Sequence, residues 1–175
     1  VNRKAASHVN RLKYRQLLHY VCTRVGGLPH VGKTVLFKLL YFMEFDYYEI
    51  HEEPLVGETF RRIPKGPAPC HFDGVLADLT ASGGVKAVQT QFHGHRQYKY
   101  IALTEPALDK LTSDELRFVD RELQRLASMN ATQISDHSHR DVPYVATKDG
   151  ELIDPELVFY REPAYSVREY PPDED

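Results

Sequence analysis

Val35-Leu36-Phe37-Lys38-Leu39-Leu40-Tyr41-Phe42-Met43-Glu44-Phe45-Asp46-Tyr47-Tyr48 is the stretch that organises this chain. Its apolar side chains surround nearly the whole circumference of a helix, and neither Gly nor Pro interrupts it. A helix that is apolar on all sides belongs at the centre of a domain, with neighbours packed around it. The pattern predicts a helix from about Val31 to His51, closed off by Pro54 and Gly57. Lys38, Glu44 and Asp46 break the apolar run well short of the ~20 residues that a membrane span requires. Tyr41, Phe42, Phe45, Tyr47 and Tyr48 form an aromatic cluster within this helix. Tyr41, Phe45 and Tyr48 share one face while Tyr47 projects elsewhere. Core packing explains the phenylalanines, whereas tyrosines at a helix end also suit an interface, since Tyr joins apolar area to a hydrogen-bonding tip.

Working outward, residues 10–25 carry Tyr14, Leu17, Leu18, Val21, Cys22 and Val25 at helical spacing, and Gly26-Gly27 stops this helix before Pro29. Thr59–Ile63 is a short β-type run. Pro64-Lys65-Gly66-Pro67-Ala68-Pro69 reads as a stiff elbow, with Pro69 in the first turn of a third helix through Phe72, Val75, Leu76 and Leu79. Val85–Phe92 and Arg96–Leu103 read as a hairpin around a three-residue loop, His93-Gly94-His95. Thr112 and Glu115 form a capping box for a helix to about Ser128. Residues 130–139 suit a short helix, and Asp154-Pro155-Glu156 opens one or two turns. The sum is an α+β single domain, mainly helical around a central apolar helix, with a small antiparallel hairpin.

The chain has 175 residues, 42% of them hydrophobic and 27% charged, a globular composition. The net charge of −3 conceals an asymmetry: residues 1–43 hold eight Lys or Arg and no acid. A basic first quarter attracts nucleic acid or an acidic protein. The alternative is two helices whose cations lie on the acidic remainder of the same fold. Glu169–Asp175 reads as an exposed acidic tail. The N-terminus lacks an apolar signal region, and Cys22 and Cys70 are too few for a disulfide framework. Both read as buried thiols in a cytoplasmic protein.

Three chemical motifs fail on context. Gly27-Leu28-Pro29-His30-Val31-Gly32-Lys33-Thr34 fits the phosphate-loop pattern, but a helix rather than a strand precedes it. His93-x-His95 and His137-x-His139, flanked by Asp136 and Asp141, lack the spacing of a three-ligand zinc site. Cys70 follows the proline elbow with no base placed beside it. No catalytic residue, metal or cofactor is expected. Arg96, Tyr98, Lys99 and Tyr100 make the hairpin basic and aromatic, a pattern that binds single-stranded nucleic acid or pairs with a partner strand.

Three segments, in order, resemble the SocA-like, or Panacea, antitoxin domain, a family that includes phage-associated GepA-type proteins. The first is Leu36 to Tyr48, containing Lys38, Leu39, Leu40, Tyr41, Phe42 and Asp46. The second is Pro54-Leu55-Val56-Gly57-Glu58-Thr59-Phe60 followed by Ile63-Pro64-Lys65-Gly66-Pro67-Ala68-Pro69. The third is Ser135-Asp136-His137-Ser138-His139-Arg140-Asp141-Val142-Pro143-Tyr144, in which Tyr144 replaces the family's usual Trp. The resemblance covers residues 10–146, leaving an extension over 1–9 and an acidic, proline-bearing extension over 147–175. It implies a non-enzymatic antitoxin that binds and neutralises a cognate protein toxin encoded nearby, with delivery to an ATP-dependent protease known for at least one member. The motif residues Gly57, Gly66, Pro67, His139, Pro143 and Tyr144 are expected to hold the fold, with His139 bonding across to the elbow or the central helix. Tyr47, Tyr48, Arg96 and Tyr98 are the candidate partner contacts. The other function class kept open is a small nucleic-acid-binding regulator using residues 1–43 and the hairpin.

Overall fold

The structure, a computed structural model, describes residues 8–172. Arg3 and Lys4 of the basic first quarter, and the last acids of the tail, lie outside the described residues.

Helix α1 spans Arg11–Val25, and Asn10 caps it by accepting a hydrogen bond from the Lys13 backbone N–H at 3.1 Å. Gly26 follows its last residue. Helix α2, Lys33–His51, begins after Gly32, two residues later than the apolar pattern alone suggests. The phosphate-loop-like stretch is the link between these two helices, so α1 stands where a nucleotide loop needs a strand. α2 is the axis of the domain: Leu36, Leu39, Leu40, Tyr41, Phe42, Met43 and Phe45 are all buried. Each such side chain contributes about 1.5–3 kcal/mol by leaving water. The Tyr41, Phe45 and Phe60 rings meet with centroids 4.5–5.9 Å apart.

α2 ends on Glu52, which adopts a left-handed φ of 55°. That conformation favours Gly. Among the described residues, Glu52 pairs with Arg168 alone, at 3.5 Å and on the surface, which is worth little. Glu52→Gly is therefore expected to stabilise the fold by about 0.5–1 kcal/mol, read as a higher urea midpoint with an unchanged slope.

The proline elbow is a hairpin. β1, Phe60–Ile63, pairs antiparallel with β2, Gly66–Pro69, around the two-residue turn Pro64-Lys65. Pro69 therefore ends a strand instead of opening a helix, and α3 starts later, at Phe72, and runs to Ala81. Proline lacks an N–H and tolerates only an edge strand, which is the position of β2. The other edge of β1 is covered by the chain at 150–153: Arg62 N–H donates to Glu151 O at 2.9 Å and Ile153 N–H to Phe60 O at 2.8 Å.

β3, Val85–Phe92, and β4, His95–Ala102, form the second hairpin. Phe92 pairs with His95, so the loop has two residues, His93 and Gly94, not three. Both have positive φ, the geometry whose twist matches a two-residue hairpin. α4, Ser113–Leu126, and α5, Ala131–His139, each carry a reciprocal capping box, Thr112 with Glu115 and Asn130 with Gln133. A short α6, Val142–Val145, and a 3₁₀ segment, Pro155–Tyr160, complete the chain. The result is the mainly helical α+β domain expected, with two small antiparallel hairpins rather than one. No helix among the described residues is long and apolar enough to cross a membrane.

Three of the four cations of α1 are paired with acids of the same fold. Lys13 pairs with Glu115, Arg11 with Asp78 at 2.9 Å, and Arg24 with Asp120 at 3.8 Å. This is the second of the two charge arrangements considered, helices lying on the acidic remainder.

Candidate functional site: two buried polar locks around the central helix

A helix buried on all sides cannot leave its charges unpaired, because an isolated ion in the interior is prohibitively costly. Lys38, Glu44, Asp46 and Glu49 of α2 are all buried, and all of them hold distant segments, Asp46 and Glu49 sharing one.

Asp46 and Glu49 meet Arg161, which follows the 3₁₀ segment and whose side chain is almost wholly buried. Its Nη1 donates to Asp46 Oδ1 at 2.7 Å and to Glu49 Oε1 at 3.1 Å. Its Nε and Nη2 make a two-pronged contact with Asp141, at 2.9 and 2.8 Å. Asp141 lies between α5 and α6 and also accepts from the Tyr41 hydroxyl at 2.7 Å. The second Asp46 oxygen accepts from Arg125 of α4 at 2.6 Å, and Arg125 also reaches Glu122. One carboxylate of α2 thus ties α4 to the C-terminal segment.

Burial acts to lower the Arg161 pKa, but Asp46 and Asp141 outweigh it and hold the guanidinium charged far above its ordinary value. Burial, then the adjacent Asp46 carboxylate, push the Glu122 pKa up, against the lowering effect of Arg125. Burial would raise Glu49, but donors from Ser166, Val167 N–H and Arg161 hold it below the ordinary value. Tyr170 also donates to Glu49, at 3.0 Å, so residues 169–172 are exposed yet anchored at this point.

Lys38 and the third family segment form the second lock. The Lys38 ammonium donates to Pro67 O at 3.1 Å, and burial lowers its pKa to about 8. Gly66 sits at φ 111°, where a Cβ would stand 2.5 Å from Lys38 Cε, so both the backbone angle and the close approach demand glycine. His139 Nε2 faces Pro64 O at 2.8 Å and its Nδ1 faces Ser135 O at 2.6 Å. The Tyr144 hydroxyl donates to Ile63 O at 2.7 Å. Arg62 lies over the Tyr144 ring, 4.4 Å from its centroid, and donates to the Tyr144 and Thr147 carbonyls. Pro143 is buried at the start of α6. His139→Ala removes both contacts to the elbow and the α5 terminus. It is expected to cost about 1–2 kcal/mol, measured as a lower denaturation midpoint.

A third anchor lies at the middle of α2. The Glu44 carboxylate accepts the backbone N–H groups of Leu55, Val56 and Gly57 at 3.1, 3.1 and 2.8 Å. Gly57, at φ 80°, lets the loop turn back at this point. Burial pushes the Glu44 pKa up to about 7, against the lowering effect of those N–H donors.

The candidate contact residues are scattered. Tyr47 is half-buried, its ring 5.3 Å from Phe118 of α4 and 4.3 Å from His51. The Tyr48 hydroxyl donates to Glu156 at 2.5 Å, and its ring packs on Phe159. Arg96 and Tyr98 stand exposed on β4, at the other end of the molecule's central helix. Lys99 and Tyr100, beside them in sequence, are buried: Lys99 holds the α1–α2 link through Leu28 O and Val31 O, and Tyr100 packs on Phe72. Cys22 is buried, its thiol pushed up to about 12, but Cys70 is exposed, because it sits in the turn between β2 and α3. Among the described residues, no group of three or more His, Cys, Asp or Glu is placed to hold a metal ion.

Arg161, Arg125, Glu122 and Glu49 complete the first lock and escape a reading of motifs. The signal that marks them is indirect: four charges on an all-round apolar helix require buried partners elsewhere.

Charges arranged in this way fasten loops and the C-terminal segment to the central helix. A family model described as "Antitoxin SocA-like, Panacea domain" matches residues 36–143, more than half of the chain. The chain belongs to this SocA-like, Panacea-domain family, and its general role is antitoxin-like. No curated protein and no solved structure matches it.

Proposed function

We propose that this protein is an antitoxin that neutralises a cognate protein toxin, encoded nearby, by binding it directly. The observation that carries the reading is the family match over residues 36–143. The internal locks support it, since a domain pre-ordered by buried ion pairs loses little conformational entropy when it covers another protein. Delivery of the bound toxin to an ATP-dependent protease belongs to the same reading, because capture must come first. Arg96 and Tyr98 are the contact residues with the most open exposure. Tyr47 and Tyr48, half-buried at the opposite end of α2, are proposed contacts at a separate patch.

The pairing of α1 with Asp78, Glu115 and Asp120 favours a protein partner over a nucleic acid, since it removes cations that a phosphate backbone would need. Co-expression with the product of the neighbouring open reading frame tests the proposal. Relief of toxicity, with a complex that co-purifies through high salt, is the expected result. A chain that relieves no toxicity and instead binds oligonucleotides with a steep salt dependence would overturn it.

A further inference from the structure

Cations from separate parts of the sequence gather at one place in the fold. A groove of about 650 Å³ lies between the β3–β4 hairpin, the start of α2, the β1–β2 turn and the start of α5. Lys33, Lys65, His93, His95, Arg96 and Tyr98 are on its walls, and no Asp or Glu lines it. Lys33, Lys65 and Arg96 form no ion pair among the described residues, in contrast to Arg11, Lys13 and Arg24 of α1. These three cations come from three separate elements, brought to one concave surface by the fold. Gln97 donates to Pro29 O at 3.0 Å, and this bond fixes the hairpin against the α1–α2 link, so the groove is preformed. Tyr98, 45% exposed, offers the aromatic edge that anchors many protein contacts.

We infer that this groove is the docking site for an acidic segment of the protein partner, with Arg96, Lys65 and Lys33 receiving its carboxylates and Tyr98 packing on its backbone. The inference rests on the antitoxin reading above and gives it a surface. Arg presents a planar fork that matches a carboxylate, and unpaired cations in a concave site draw in opposite charge. A nucleic acid fits less well. It presents a long regular row of phosphates, whereas this basic area is confined to one groove on a chain of net charge −3.

The test uses the full chain and, as probe, a labelled repeat peptide of Glu and Ser. A Gln-Ser peptide and a single-stranded oligothymidine are the comparisons. The Glu peptide is expected to bind and the Gln peptide not. The double variant Lys65→Glu/Arg96→Glu should weaken Glu-peptide binding by about tenfold or more. Arg121→Glu, exposed on α4, should change it by less than about twofold. Both variants should keep the wild-type melting temperature, as both alter exposed side chains only. Equal binding of the two peptides, an equal loss in Arg121→Glu, or tighter binding of oligothymidine would each overturn the groove as an acidic-segment site. A toxin that Lys65→Glu/Arg96→Glu still neutralises in full overturns the groove and leaves the antitoxin reading standing. A chain that binds the Glu peptide yet relieves no toxicity supports the groove and overturns that reading.

Discussion

Arg161→Met is expected to destabilise the protein by about 3–5 kcal/mol, because it removes the one cation shared by three buried carboxylates. Methionine fills similar volume, so the loss comes from charge. Asp46 keeps Arg125, but Asp141 keeps only the Tyr41 hydroxyl, and Glu49 keeps its donors from the terminal segment. The thermal midpoint should fall by about 10 °C or more. Adding Asp141→Asn to Arg161→Met should recover part of the loss, since the double variant leaves one fewer buried carboxylate unpaired. A loss under about 1 kcal/mol, or simple additivity of the two changes, would show that Arg161 does not hold the C-terminal segment in the way its geometry indicates. Limited proteolysis gives a second readout, with cleavage after residue 161 appearing in the variant first.

Glu44 governs the second large effect, a pH dependence. Its folded pKa of about 7 lies above the ordinary 4.5 of an unfolded glutamate. Between those values the unfolded chain releases its proton and the folded chain keeps it. Stability from this group is therefore greatest below about pH 4.5, falls as pH rises, and levels off above about 7. The shift corresponds to about 3 kcal/mol. Other groups titrate as well, so the measurement is a difference between wild type and Glu44→Gln. Gln retains an acceptor for Leu55 and Gly57, but its amide cannot accept from Val56, which adds a pH-independent cost. The wild-type advantage over Glu44→Gln should thus decline by about 3 kcal/mol from pH 4.5 to 7.5. A constant difference across that window would mean that the three N–H donors hold Glu44 ionised throughout.

The central helix, α1, α4, α5 and the β3–β4 hairpin follow from apolar spacing and caps, which act locally and can be read along the chain. The Pro64–Pro69 segment is a hairpin that its prolines conceal, because prolines argue against a strand and only an edge position accommodates them. The His93-Gly94 turn is one residue shorter than the pattern suggests, because His93 adopts a positive φ that a sequence pattern assigns to Gly. Of the polar locks, Lys38, Asp46, His139 and Tyr144 could be picked out through their family segments. Arg161 could not, because it lies outside those segments and only packing at long range in sequence brings it to Asp46. Cys70 shows the converse: its hydrophobic character suggested burial, but a turn between two elements leaves it in solvent. Surface contacts are the least legible part, since exposure of Arg96 and burial of Lys99 depend on how the hairpin docks on the α1–α2 link.

The most direct measurement of the central claim is a stoichiometric titration. Increasing amounts of the purified chain are added to a fixed amount of the cognate toxin, and toxin activity is followed over time. A protein that acts by covering its partner should abolish activity linearly up to a fixed molar ratio, with no further change on waiting. Time-dependent loss of toxin activity at ratios far below equivalence, or no loss at any ratio, would contradict it.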